Sequence, residues 1–253
     1  MKRRPETQVT VWPAITDLMT AIVVIAVLAG IIGYSKYIEI DSIAAQHPET
    51  RNHILDEIDS LLTQSGITVE VLHDEGVLRL SDGVVNFASG EIEPVSQHRL
   101  NVGTLAHVLS QVVPCHVLDL PQTSVPIPTY GNSTDRSYCL TMKAPEYGCN
   151  VEDESSWLLG TILIEGHTDI APVTGGKYRF KDNLELSSMR AAEVYRMMTN
   201  CESSIRQMKN SKGVPVFSTS GYGEMRLANP DDPLNAENRR IDVRLLLERR
   251  DDS

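Results

Sequence analysis

The sequence predicts a single membrane-spanning helix followed by a two-layer α/β domain. Three observations predict it. A nearly uncharged run lies close to the N-terminus, strand patterns alternate with two helical patterns behind it, and charge is split unequally about the run. The chain has 253 residues, enough for one domain or two small ones with a real core. It carries 23 basic and 34 acidic residues, a net charge of -11. An acidic chain without a basic stripe binds nucleic acid poorly, and 5% aromatic residues offer little for base stacking. Nucleic acid is therefore not an expected partner. The mean hydropathy of -0.17 has the value of a soluble protein because it averages the apolar run with the acidic remainder.

From Val9 to Tyr34 the only charged residue is Asp17. The run Val11–Gly33 holds 23 residues. As a helix it spans about 34 Å, against about 30 Å of bilayer hydrocarbon. The expected transmembrane helix covers 11–35. Residues 1–10 form a stub in which Lys2, Arg3 and Arg4 face only Glu6. Positive flanks stay in the cytoplasm, so the N-terminus is expected inside and everything after Lys36 outside. Past Asp17 there are 20 basic and 32 acidic residues, a net of -12. A cleavable signal peptide fits less well. Its apolar core is about 7–15 residues and ends at a small-x-small site, whereas Ala29-Gly30-Ile31-Ile32-Gly33 runs straight into Tyr34 and Lys36.

Residues 36–66 read as a connector. Ile54, Leu55, Ile58, Leu61 and Leu62 recur at three-four spacing, which predicts an amphipathic helix starting after Pro48. That stripe has two readings, packing on the following domain or pairing with a second copy of itself. The domain proper is expected over 67–253. Ile67, Val69 and Val71 alternate with polar residues, and Val77, Leu78 and Leu80 follow the Asp74-Glu75-Gly76 turn. Val95 to Val113 reads as a helix with Leu100, Leu105, Val108, Leu109 and Val112 inward. Residues 114–158 are rich in proline and glycine and read as an irregular insertion. Regular structure resumes with a strand at Thr161–Glu165 and a helix at Leu184–Asn200, with Leu186, Ala191, Val194 and Met198 inward. Strands at Val214–Ser220 and Ile241–Leu247 complete the two layers. The last residues, through Asp251 and Asp252, read as a solvated tail.

All four cysteines, Cys115, Cys139, Cys149 and Cys201, fall on the outer side of the membrane helix. An even count in an oxidising compartment favours disulfides, with three possible pairings. Cys139 with Cys149 would close a short loop and leave Cys115 to Cys201. Spacings of 24, 10 and 52 residues do not make a zinc pattern. No Ser-His-Asp set, metal-ligand pair or phosphate loop is evident, and Gly175-Gly176-Lys177 lacks P-loop spacing. No catalytic residue, metal or cofactor is expected, and His167 reads as a strand-end residue.

Asp17 carries the sharpest signal. A carboxylate inside a membrane helix costs about 2.5–3.5 kcal/mol on insertion scales and usually marks an ion or proton path. The bilayer tolerates its protonated form better, so it can take a proton from one side and release it to the other. Thr20 shares its face at i+3 and can line the path. Trp12 suits the membrane interface and Pro13 a first helical turn. One helix cannot form a pore, so partner helices are implied.

A second constellation is Gly166-His167-Thr168-Asp169, followed by Asn183-Leu184-Glu185-Leu186-Ser187-Ser188-Met189-Arg190-Ala191. It resembles the OmpA-like peptidoglycan-binding domain, whose motif runs G-x-T-D and then N-x-x-L-S-x-x-R-A. Gly221-Tyr222-Gly223-Glu224 and Asn235-Ala236-Glu237-Asn238-Arg239-Arg240-Ile241 resemble the closing G-x-G-E and N-x-x-N-R-R-[IV]. The resemblance covers about 67–248 and implies an OmpA-like sandwich. It implies that Asp169 and Arg190 bind the diaminopimelate group of the peptide stem, with Asn183, Leu186 and Arg240 shaping or supporting the pocket. The chemistry is coherent, since a carboxylate takes an ammonium and a guanidinium takes a carboxylate. The loop from Asp169 to Asn183 is longer than usual in that family. A domain that only dimerises is the competing reading.

The helix and the domain together resemble the B subunit of ion-driven stators, through Trp12, Asp17, Leu18, Met19 and Thr20. That resemblance implies a homodimer of this chain inside a ring of five MotA-like A subunits in the bacterial inner membrane. The Asp binds the translocated ion, and the outer domain anchors the complex to peptidoglycan. The short connector and the P-x-x-x-D-L-M helix are most similar to the B subunit of the Zorya anti-phage defence motor. A flagellar-type stator subunit and a passive peptidoglycan anchor remain alternatives.

Overall fold

The computed structural model describes residues 12–117, 157–173 and 180–250, with side chains of the first segment at 18–36 and from 47 onward. The Asp17 side chain, Cys139, Cys149, most of the 114–158 segment, Gly175-Gly176-Lys177 and the last three residues lie outside this description. The chain divides into two units, Met1–Ala45 and Gln46–Ser253.

In the first unit, the stretch Leu18–Lys36 is long and apolar enough to cross a membrane, and its side chains are exposed. It belongs to helix α1, Trp12–Gln64, which contributes to both units. The helix does not begin after Pro48, because α1 runs through that residue. A proline there removes one backbone donor and so one helical hydrogen bond. The apolar stripe beyond it compensates. Ile54, Leu55, Ile58, Leu61 and Leu62 are all buried in the core of the second unit. The stripe is thus a core face, as the first of the two sequence readings has it.

The second unit is a mixed five-stranded sheet with helices. Strands β1 (Glu70–Leu72) and β2 (Val77–Leu80) form an antiparallel hairpin. Helix α2 (Arg99–Val117) follows a 3-10 turn at Ser96–His98. Then come β3 (Trp157–Gly166), α3 (Asn183–Cys201), β4 (Phe217–Gly221) and β5 (Ile241–Arg249). The strand order is β1-β2-β5-β3-β4. Among the described strands only β3 and β4 pair in parallel, as a strand–helix–strand crossover requires.

Sequence periodicity places most of the core correctly. Leu186, Ala191, Val194 and Met198 are buried along α3, as are Ile241, Val243 and Leu245 along β5. Two differences have local causes. Leu100 is 43% exposed, because it sits in the first turn of α2, while Val102, Leu105, Val108, Leu109 and Val112 face the core. Pro114 does not end α2, which continues to Val117, with Cys115 and Val117 buried. Neither Cys115 nor Cys201 is a free thiol.

Helix α3 lies unusually close to the sheet. A Cβ on Gly166 would collide with the Ser187 carbonyl, and one on Gly221 with the backbone of Ser188. These glycines allow α3 to approach the ends of β3 and β4.

Candidate functional site

The site forms where β3 ends and α3 begins. Beyond Gly166 the chain is held by backbone hydrogen bonds. His167 N–H donates to Arg240 O at 3.1 Å, and Thr168 N–H to Gly223 O at 2.9 Å. This presents Asp169 at the sheet end. Helix α3 starts from an Asp182 cap, whose side chain accepts from Glu185 N at 2.9 Å. Glu185 reaches back to accept from Lys181 N at 2.7 Å, a near relative of the capping box. With that start, Asn183, Leu186 and Arg190 share one helical face at i, i+3 and i+7.

These residues converge. Asp169, Asn183, Leu186 and Arg190 line a cleft of about 220 Å³, together with Phe87 and Arg239. Asn183 Nδ2 donates to Asp169 O at 3.3 Å and Ala171 O at 3.0 Å, which holds the loop in place. Asp169 Oδ1 accepts from Ala171 N at 3.0 Å, and Oδ2 accepts from Arg239 Nη1 at 2.8 Å.

Arg190 is 3% exposed, and its guanidinium lies 4.7 Å from the Phe87 ring centroid. Its Nε donates to Glu91 O at 3.0 Å and its Nη2 to Ala88 O at 3.2 Å. The side edge of the guanidinium is therefore spent on the 88–91 loop, and these bonds do not engage Nη1. Burial pushes the Arg190 pKa down to about 10, with Arg239 adding to this and Asp169 opposing it. It remains a cation at neutral pH. The cleft thus offers one carboxylate and two guanidiniums, a set that suits a small zwitterion with an excess of negative charge.

Arg240 is not among the residues lining this cleft. It lies in a second group on the sheet face turned away from the β5 core side chains. On β5, Ile241, Val243 and Leu245 fill the core, so Asp242 and Arg244 point the other way. Register places Arg79 of β2 and Glu165 of β3 on either side of Asp242. Arg240 Nε donates to both Asp242 oxygens at 3.1 Å, and Arg240 Nη2 donates to Arg226 O at 3.0 Å. Arg244 holds Glu165 through Nε at 2.8 Å and Nη2 at 3.1 Å. Burial raises the Asp242 pKa and lowers that of Arg240, outweighing their mutual attraction.

His167 stacks on Tyr222 at 5.3 Å between ring centroids. Burial, reinforced by Arg240, Arg79, Arg226 and Arg244, pushes its pKa down to about 3, so it is neutral near pH 7. Glu165, His167 and Asp242 bring ligand atoms within 4.8 Å of one another. Both carboxylates are already gripped by arginines, however, and the field that keeps His167 neutral also repels a cation. This group does not fit a metal.

Sequence reasoning thus found Asp169, Arg190, Asn183 and Leu186 together and missed Arg239. The alternation along Arg239-Arg240-Ile241-Asp242 was the available signal, since neighbouring residues at a strand start face opposite ways.

No known family model matches the chain, and no curated protein matches it. Solved structures to which it is similar include a MotB-like protein from Desulfovibrio vulgaris, at 21% identity over 82% of this chain and 96% of that one, with a TM-score of 0.48. The periplasmic domain of Helicobacter pylori MotB gives 18% identity over 67% and 74%, with a TM-score of 0.37. The cell wall anchor of the T6SS from Pseudomonas aeruginosa gives 17% identity over 76% and 97%, with a TM-score of 0.42.

Proposed function

We propose that this chain is a membrane-tethered, peptidoglycan-binding protein of the stator B-subunit type. The single observation that carries the reading is the cleft that Asp169, at the end of β3, lines together with Asn183, Leu186 and Arg190 of α3. In this reading Asp169 takes the ammonium and Arg190 the carboxylate of a diaminopimelate-type stem, with Arg239 as a second cation. Its role is binding, not catalysis.

The fuller form of the proposal concerns the membrane. Leu18–Lys36 spans the bacterial inner membrane with the N-terminus in the cytoplasm and the domain in the periplasm. Asp17 carries the translocated ion, Thr20 lines its path, and two copies work with MotA-like A subunits, five to two. Within that class, the short connector favours a defence motor of the Zorya kind. Cys115 and Cys201, with Cys139 and Cys149, form periplasmic disulfides.

Two measurements separate the layers. Binding of a diaminopimelate-containing muropeptide should fall at least about tenfold in Asp169→Ala, and unchanged binding would sink the anchor. Proton flux from the chain co-expressed with its A partner should vanish in Asp17→Asn. Full function in that variant would leave only a passive anchor.

A further inference from the structure

The arginine group on the outer sheet face lines a pocket of about 370 Å³ with Glu75, Arg79, His167, Arg226, Arg240, Asp242 and Arg244 at its walls. Within it, several buried donors lack an acceptor among the described residues. Arg240 is 3% exposed, and its Nη1 has no hydrogen-bond partner. The Nε of Arg79 is buried without a hydrogen bond, 3.5 Å from Asp242 Oδ1. Neither ring nitrogen of the buried His167 is hydrogen-bonded, although Nε2 lies 3.3 Å from Asp242 Oδ2. Arg226, exposed at the rim, holds its guanidinium 4.1 Å from the Tyr222 ring centroid. Arg244 is already committed to Glu165 and to Glu75 O.

We propose that this pocket binds a phosphoryl oxyanion between Arg79, Arg226 and Arg240, at a site separate from the Asp169–Arg190 cleft. Two of the unmet groups, Arg79 Nε and Arg240 Nη1, are guanidinium donors, and an anion supplies acceptors to them where a cation supplies none. Four arginines face Glu75 and Asp242 among the lining residues, and Glu165 on Arg244 and Glu70 on Arg79 offset the other two charges. The attraction therefore comes from the unmet donors and the exposed Arg226, and not from a net charge. Donors from three side chains suit an anion with three or more oxygens better than a two-oxygen carboxylate. A buried donor left without an acceptor is costly, and an oxyanion would supply that acceptor to Arg240 Nη1.

The test is calorimetric titration of the full-length chain in detergent with inorganic phosphate, glycerol 3-phosphate, acetate and zinc. Phosphate should bind, acetate more weakly. Arg226→Gln should weaken phosphate binding about tenfold. Arg226 is exposed, so this variant should fold normally, and Arg79→Gln gives an independent reading. Arg196→Gln removes a charge from an exposed helical ion pair and should change nothing. Tighter binding of glycerol 3-phosphate than of phosphate identifies an ester as the source, and the reverse identifies the free ion; both support the site. No phosphate heat up to about 10 mM, acetate bound as tightly as phosphate, or zinc bound in place of phosphate overturns it. Loss in Arg239→Gln but not in Arg226→Gln assigns the anion to the other cleft and also overturns it.

Discussion

Arg239 and Arg240 are neighbours in sequence and end in opposite environments. Arg239 is about a third exposed and pairs with Asp169 at the mouth of an open cleft. Arg240 is 3% exposed and pairs with Asp242 inside the outer sheet face. The first pair is exchangeable, because water or a ligand can replace either partner at small cost. The second is not, because both partners are almost fully buried and separating them strands a charge that the surrounding protein solvates poorly. One cluster is built to trade partners and the other to keep them.

The contrast breaks most visibly through stability. Asp242→Ala should cost about 3–5 kcal/mol, since it leaves Arg240 buried and unpaired. Asp169→Ala should cost only about 1 kcal/mol. Urea unfolding of both variants measures the gap, and equal losses would erase the distinction.

Acid should act next. The His167 pKa is about 3 in the folded chain and 6.5 as its ordinary value. The unfolded chain takes the proton first, so stability is present above pH 6.5 and is lost as pH falls toward 3. Between pH 7 and 4 the loss is about 3 kcal/mol. Asp242 works in the other direction, because burial raises its pKa. The difference between the wild type and His167→Gln isolates the histidine contribution, and parallel pH profiles for the two would contradict it.

A ligand sharpens the comparison from the other side. Arg239→Gln should lower muropeptide affinity by about threefold, less than Asp169→Ala, because loss of the second cation is partly offset by freeing Asp169 for the ligand ammonium. Titration by fluorescence anisotropy reads this directly. Smallest is the cap. Asp182→Ala should lower the unfolding free energy by about 1 kcal/mol. It should weaken muropeptide binding only slightly, since α3 is also pinned at Gly166 and Gly221.

Much of this was legible in advance. Helical spacing identified the buried face of α3, and strict alternation identified that of β5. Motif order brought Asp169, Asn183, Leu186 and Arg190 into one site. Proline misled twice, at Pro48 and Pro114, because long-range packing of Ile54–Leu62 and of Cys115 and Val117 outweighs one missing hydrogen bond each. The Arg79–Asp242–Glu165 row was not legible. It is assembled from three strands separated by long stretches of chain, and only register aligns them.

The sequence by itself determined the apolar helix, the lone acidic residue within that run, the alternation of strands and helices, and the chemical types offered at the cleft. These depend on local periodicity and on charge count, both properties of adjacent residues. Only the tertiary structure decided that Arg239 enters the cleft and Arg240 the outer face, that Arg190 spends one edge on the 88–91 loop, and that His167 stays neutral. Those outcomes depend on burial and on charges brought together from distant strands, and the cost of burying a charge is set by neighbours the linear chain does not name.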